Sequence, residues 1–208
     1  MLEDAIDSLL SKSATSTQRL TLLADYLKRL LEEAGLNDVK GGSGGELQVP
    51  GLARTKDWDL AYDFAGKFRL LITLKSMLGN ISGSVPNRID DLQGEIANVQ
   101  QLRPEIVIGH VVLFDVSKDT KRKAGGKWSD FYESAIQKIS IRRAPLWNQG
   151  LLEGTWFIRF DSRRSKGRRL VKPKHVEKDG RKFINSLLCE LKRREPAIPF
   201  TKQLHCPE

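Results

Sequence analysis

The stretch "EIVIGHVVLFDV", residues 105–116, is almost uninterruptedly apolar and rich in β-branched side chains. It falls well short of the roughly 20 residues needed to cross a bilayer. Such a run predicts a strand covered on both faces, which requires helices on either side of a sheet. The neighbouring segments supply them. Leu20, Leu23, Leu27, Leu30 and Leu31 recur at helical spacing within 16–34, with Gly35 as the stop. A shorter amphipathic helix precedes. "KGGSGGELQVPG" then breaks the pattern, either as a flexible loop or as the approach to a short strand "ELQV". Strands are predicted over about 57–64 and 68–76, joined by a tight turn at Gly66. After a loop, a helix is predicted to start near Pro86, with Asp90 and Asp91 at its favourable N-terminal end. Beyond the apolar strand come a helix around 128–143, a strand "GTWFIRFD" and a last helix over about 177–194. The order is α/β, without internal repeats.

At 208 residues, 39% hydrophobic and 29% charged, the chain has the composition of a globular domain. "MLEDAIDSLL" carries acids where a secretory signal would be basic, so a cytoplasmic protein with no membrane partner is expected. Cys189 and Cys206 have the spacing of neither a metal knuckle nor a redox pair, and His110, His175 and His205 are scattered. Neither zinc nor a cysteine nucleophile is expected. Trp58, Trp128, Trp147 and Trp156 read as core or boundary anchors.

A net charge of +9 favours a polyanionic partner. "SKDTKRKAGGKW" and "DSRRSKGRRLVKPKH" concentrate it, offering Lys121, Arg122 and Lys123 in one loop and Arg163, Arg164, Lys166, Arg168 and Arg169 in another. These are either solvated surface or the sequence-independent, salt-sensitive grip on phosphates.

The pair of strands at 57–76 places Asp59 near the end of one arm and Lys75 near the end of the other. That pairing suits phosphodiester hydrolysis. A hard cation such as Mg2+, needing only one or two carboxylates, neutralises charge at phosphorus, and an ammonium orients the attacking water. Asp59 would bind the metal, the Leu74 backbone carbonyl could contribute, and Lys75 would face water and phosphate. An ordinary hairpin with a capping Asp and a surface Lys accounts for the same spacing.

Ordered motifs carry further information. "VPG", "TKDWDL", "LKS", "GNISGS" and "NRIDD" within 46–115 resemble the core of the XhoI-like type II restriction endonucleases, of the PD-(D/E)XK nuclease superfamily. Beyond it, "FYESAIQKISIRRAPLW" and "GTWFIRF" resemble the later helix and strand less closely. The resemblance implies one nuclease domain over 1–208, with a restriction-endonuclease-like mixed central β-sheet flanked by α-helices. In it, 1–40 are N-terminal helices, 46–115 the catalytic core, and 116–208 the basic loops and closing elements. It implies Mg2+-dependent cleavage of double-stranded DNA, with Mn2+ as a substitute, by a homodimer at a short palindromic site. Asp59 matches the first metal ligand and Lys75 the catalytic lysine. Asn80, Asn87 and Arg88 become base readers, although Arg88 suits a phosphate equally.

The departure is Thr73, which stands where the family has Glu. Its charge could come from "NRIDD", with Asp90 ahead of Asp91 because some relatives take their acid from the next helix after an Arg. It could come instead from Glu32 or Glu33, or be missing altogether. The alternatives to restriction are a silent DNA-binding homologue and a structure-specific DNA nuclease.

Overall fold

Two helices open the chain. α1 (Leu2–Ser11) buries Leu2, Ala5, Ile6 and Leu9, and α2 (Thr21–Glu33) buries Leu23, Ala24, Leu27 and Leu31. These leucines are thereby spent on the intramolecular core. Gly35, at φ 101°, ends α2 as its sequence predicts. The Gly35 and Leu36 N–H groups donate back to the carbonyls of Glu32 and Leu31. The computed structural model describes residues 1–13, 16, 18–143 and 148–206, so Trp147 lies outside them.

Three short strands follow: β1 (Lys40–Gly41), β2 (Leu47–Val49) and β3 (Lys56–Trp58). Then β4 (Leu60–Phe64) and β5 (Lys67–Met77) form an antiparallel hairpin. Its turn residues Ala65 and Gly66 both have positive φ, 52° and 72°, the two-residue geometry whose twist matches the flanking strands. α3 (Ile81–Leu102) carries the chain to β6 (Val107–Asp115), parallel to β5. α4 (Trp128–Ile139) leads towards β7 (Gly154–Phe160), parallel to β6, and α5 (Pro173–Arg194) is the last helix. The main sheet has the order β1-β4-β5-β6-β7 and is mixed, while β2 and β3 pair separately. All nine residues of β6 are buried, as its sequence requires.

The sheet divides two cores. Leu70, Ile72 and Leu74 of β5 face α1, α2 and α5, whereas Leu71 and Met77 face α3 and α4. Alternation along the strand therefore turns Thr73 and Lys75 towards α3. α5 lies so close to the sheet that a Cβ on Gly109 would come within 2.7 Å of Leu187. Trp58 and Trp156 are buried, and Trp128 packs edge-on against Phe131, so all three described tryptophans are anchors.

Two expectations change. α3 starts at Ile81 rather than near Pro86, because Asn80 adopts a left-handed conformation (φ 43°) that reverses the chain directly after β5. The Asn80 carbonyl accepts from Ser84 N–H at 3.1 Å and from its hydroxyl at 2.9 Å. Pro86 thus sits inside the helix, and Asp90 and Asp91 lie beyond its first turn, outside the reach of the helix-end field. The cysteines, given no role from their spacing, form a disulfide with Cα atoms 5.5 Å apart, tying the C-terminal segment to α5.

Candidate active site

Asp59 occupies the break between β3 and β4, one residue before the Leu60–Ile72 pair. Continuing that register sets Asp59 opposite Thr73. Its carboxylate accepts the Leu74 N–H at 2.7 Å, and its carbonyl accepts from Gly42 N–H at 3.3 Å. Gly41 is required beside it, since a Cβ there would fall 2.1 Å from the Asp59 carbonyl oxygen. Burial pushes the Asp59 carboxyl up to about 6, against the lowering by the Leu74 N–H and the Lys75 charge, and Glu46 adds to the rise. Two buried acids contrast with it. Glu153 is also pushed up by burial, but it lies 2.8 Å from Arg142 and 2.9 Å from Arg194. Asp161 is held down to about 2, chiefly by its hydrogen bonds from Arg163. Half-buried Asp59 has no ion pair among the described residues, and a raised carboxyl in that state is a common condition of a working carboxylate.

Lys75 enters the same cleft from β5, and its Nζ stands 3.9 Å from Glu95 Oε2. Glu95 projects from α3 and is nine-tenths buried; its Oε1 is ion-paired and hydrogen-bonded to Lys56 Nζ. The acid in contact with the site's lysines is therefore Glu95, which the sequence reading missed. Asp90 and Asp91 are exposed and line the same hollow as Glu95, with Arg54, Lys56, Lys75 and Arg88. Glu32 lines a separate crevice against α1, and Glu33 is exposed. A signal for Glu95 existed. It falls within the apolar helical series Leu92, Ile96, Val99, where a charge is costly unless paired.

Thr73 is buried, and its register partner on β6 is His110. Burial pushes His110 down to about 3, so it is neutral, and its Nε2 is 3.1 Å from the Tyr132 hydroxyl. The floor of the site is thus a neutral polar pair, and the negative charge arrives from α3.

The cleft around Asp59 is also lined by Arg19, Glu46, Arg54, Lys56 and Arg88. Asn80 and Asn87 are exposed at the start of α3. Among the described residues no three His, Cys, Asp or Glu side chains converge as a metal-binding group. Glu46 lines one hollow with Asp59 and Lys75, and Glu95 lines the adjoining one, in contact with Lys75. An ion beside Lys75 would take Asp59 and one further carboxylate, with water or backbone oxygen completing the shell. That donor set suits Mg2+, and an added cation would offset the charge on half-buried Asp59. A larger hollow, 840 Å³, runs along β7 between α4 and α5, away from this chemistry. Its Arg159 is already paired with Asp130 and Glu133.

The basic loops divide by what their side chains touch. Arg169 is latched to α1 through Asp7 at 2.7 Å, and Glu3 accepts the Arg169 and Leu170 N–H groups. Arg164 donates to the Leu170 carbonyl, and Arg163 forks onto Asp161. Arg122 stacks over Phe131 and Trp128, with its guanidinium carbon 3.8 Å and 5.2 Å from the ring centres. Lys121, Lys123, Lys166 and Arg168 are exposed.

Comparison with family models, with curated proteins and with solved structures found no match to this chain.

Proposed function

We propose that this protein is a Mg2+-dependent endonuclease of the type II restriction class, hydrolysing phosphodiester bonds in double-stranded DNA at a short palindromic site. The observation that carries the reading is the position of Lys75, which shares one hollow with Asp59 and the adjoining one with Glu95, 3.9 Å from the Glu95 carboxylate. Two carboxylates flank a lysine, and the second comes from α3 in place of the family's strand Glu at Thr73. Asp59 and Glu95 would hold the cation, with the Leu74 carbonyl as a further oxygen. The bound ion would neutralise charge on the phosphate and lower the pKa of a water. Lys75 orients that water and stabilises the charge that builds on the phosphate oxygens. Arg19, Arg54 and Arg88 around the cleft attract the polyanion. Palindromic recognition requires two copies of one reading surface and hence a twofold dimer. Asn80, Asn87 and Arg88 are its proposed base readers.

Incubating the purified protein with mixed-sequence duplex DNA and Mg2+ should give a ladder of discrete fragments, abolished by chelator. Random degradation would identify a structure-directed nuclease, and bound but uncut DNA a silent binding protein.

The two ends of the second basic loop should separate in their effects. Replacing Lys166 and Arg168 with Ala is expected to weaken binding to every sequence. The slope of log K against log salt should fall by about 1 for each phosphate interaction removed. Arg169→Ala should instead cost about 1–3 kcal/mol of stability by leaving Asp7 unpaired. Salt-dependent binding and urea titrations distinguish the two outcomes.

A further inference from the structure

Lys56 belongs to the "TKDWDL" segment but has no role in the hydrolysis described above. Its Nζ binds one oxygen of Glu95 while Lys75 stands by the other, so one nearly buried carboxylate lies between two ammonium groups. This contact is built rather than incidental. One helical turn beyond Glu95, the Asn98 side chain holds the loop that delivers Lys56. Its Oδ1 accepts from Ala53 N–H at 2.8 Å and Arg54 N–H at 3.3 Å, and its Nδ2 donates to the Arg54 carbonyl at 2.8 Å. Gly51 is seated so closely that a Cβ would lie 2.0 Å from Asn98 Nδ2.

Resting on the cation-binding reading of Asp59 and Glu95, we propose that Lys56 is the site's internal counter-ion. It occupies Glu95 until a divalent cation arrives, and it leaves as that cation binds. The carboxylate has acceptor sites to spare, but two ammonium groups and a divalent ion on one partly buried carboxylate repel one another strongly, which favours release of Lys56. Uptake of the ion and release of Lys56 are then a single exchange. The freed ammonium joins Arg54, Lys75 and Arg88 on the surface that meets phosphate.

Mn2+ is the probe, titrated into the full chain and followed by the electron paramagnetic resonance of the free aqueous ion. Lys56→Gln should bind Mn2+ about tenfold more tightly than the wild type. Lys56→Arg should stay near wild type, and Glu95→Gln should bind at least about tenfold more weakly. A second measurement needs no variant. Amine-reactive labelling of Lys56, read by mass spectrometry, should rise as Mn2+ is added to the unaltered protein. If the wild type binds Mn2+ and Glu95→Gln does not, yet Lys56→Gln binds no tighter and labelling stays constant, the exchange is overturned while the cation site stands. Absence of Mn2+ binding in all four proteins overturns both.

Discussion

Asp59→Asn is expected to be more stable than the wild-type chain at neutral pH and to have lost cleavage by about 10³-fold or more. The two effects share one cause. Burial raises the Asp59 carboxyl from 3.8 to about 6, so the fold favours its protonated form. That stabilisation is complete below about pH 4 and is lost as the pH rises through 6. By pH 8 the wild type has forfeited about 3 kcal/mol at this position, taking about 1.4 kcal/mol for each unit of a shift of roughly two. Asparagine carries no charge to bury, and its Oδ1 can still accept the Leu74 N–H. The difference in unfolding free energy between variant and wild type, followed by urea titration from pH 4 to 8, should therefore open in favour of the variant as the pH rises. Mg2+ at pH 8 should close the gap by stabilising only the wild type. Parallel pH profiles would mean that the Asp59 charge is fully compensated in the fold, and its burial would then no longer mark it as a working carboxylate.

Glu95→Gln should act in the opposite direction on stability while also abolishing cleavage. Removing this charge leaves Lys56 and Lys75, both about three-quarters buried, without their shared anion. The expected cost is about 1–3 kcal/mol, less than for a fully buried pair because both lysines retain some access to water. The loss in cleavage rate should be about 10²–10³-fold or greater. Asp90→Asn and Asp91→Asn, on exposed positions, should change stability by less than about 0.5 kcal/mol and leave cleavage within a few-fold. Fragment yield under single-turnover conditions, together with thermal unfolding, tests all three. Loss of cleavage in Asp90→Asn with full activity in Glu95→Gln would return the second carboxylate to the outer face of α3. Stabilisation by Asp59→Asn and destabilisation by Glu95→Gln, with activity abolished in both, is a pattern that no common unfolding defect produces.

Much of the frame is written in local sequence. The unbroken apolar run of β6 demands cover on both faces, and helical spacing fixes the buried stripe of α2. The Ala65–Gly66 turn brings the two arms of the hairpin together, and strand alternation then places Lys75 on the same side as Thr73. These features follow from backbone geometry acting over a few residues. The spacing of Asp59 and Lys75 fits an ordinary hairpin equally, and it was the ordered motifs that singled them out. A register shift between Tyr62 and Asp63 then decides that Asp59 falls opposite Thr73. The start of α3 was displaced by five residues because Pro86 is an acceptable first-turn residue. The signal that prevailed, a left-handed Asn80, is a conformation rather than a composition.

The completion of the site belongs to tertiary structure. Glu95 meets Lys56 across 39 residues of chain, and Arg169 meets Asp7 across 162. Whether a charge on α3 reaches β5 depends on the height and rotation at which the helix docks, which the packing of Leu92, Ile96 and Val99 on the sheet decides. The same packing leaves Asp90 and Asp91 in water, although they stand nearer to the arginine that suggested them. Four of the eight basic-loop residues already have partners in the fold: Arg169 in α1, Arg163 in Asp161, Arg164 in the Leu170 carbonyl and Arg122 in an aromatic pair. Local sequence thus determined which strands form and which helical stripes are buried. The contact of Glu95 with Lys56 and Lys75 was decided by side chains converging from elements that share no local periodicity.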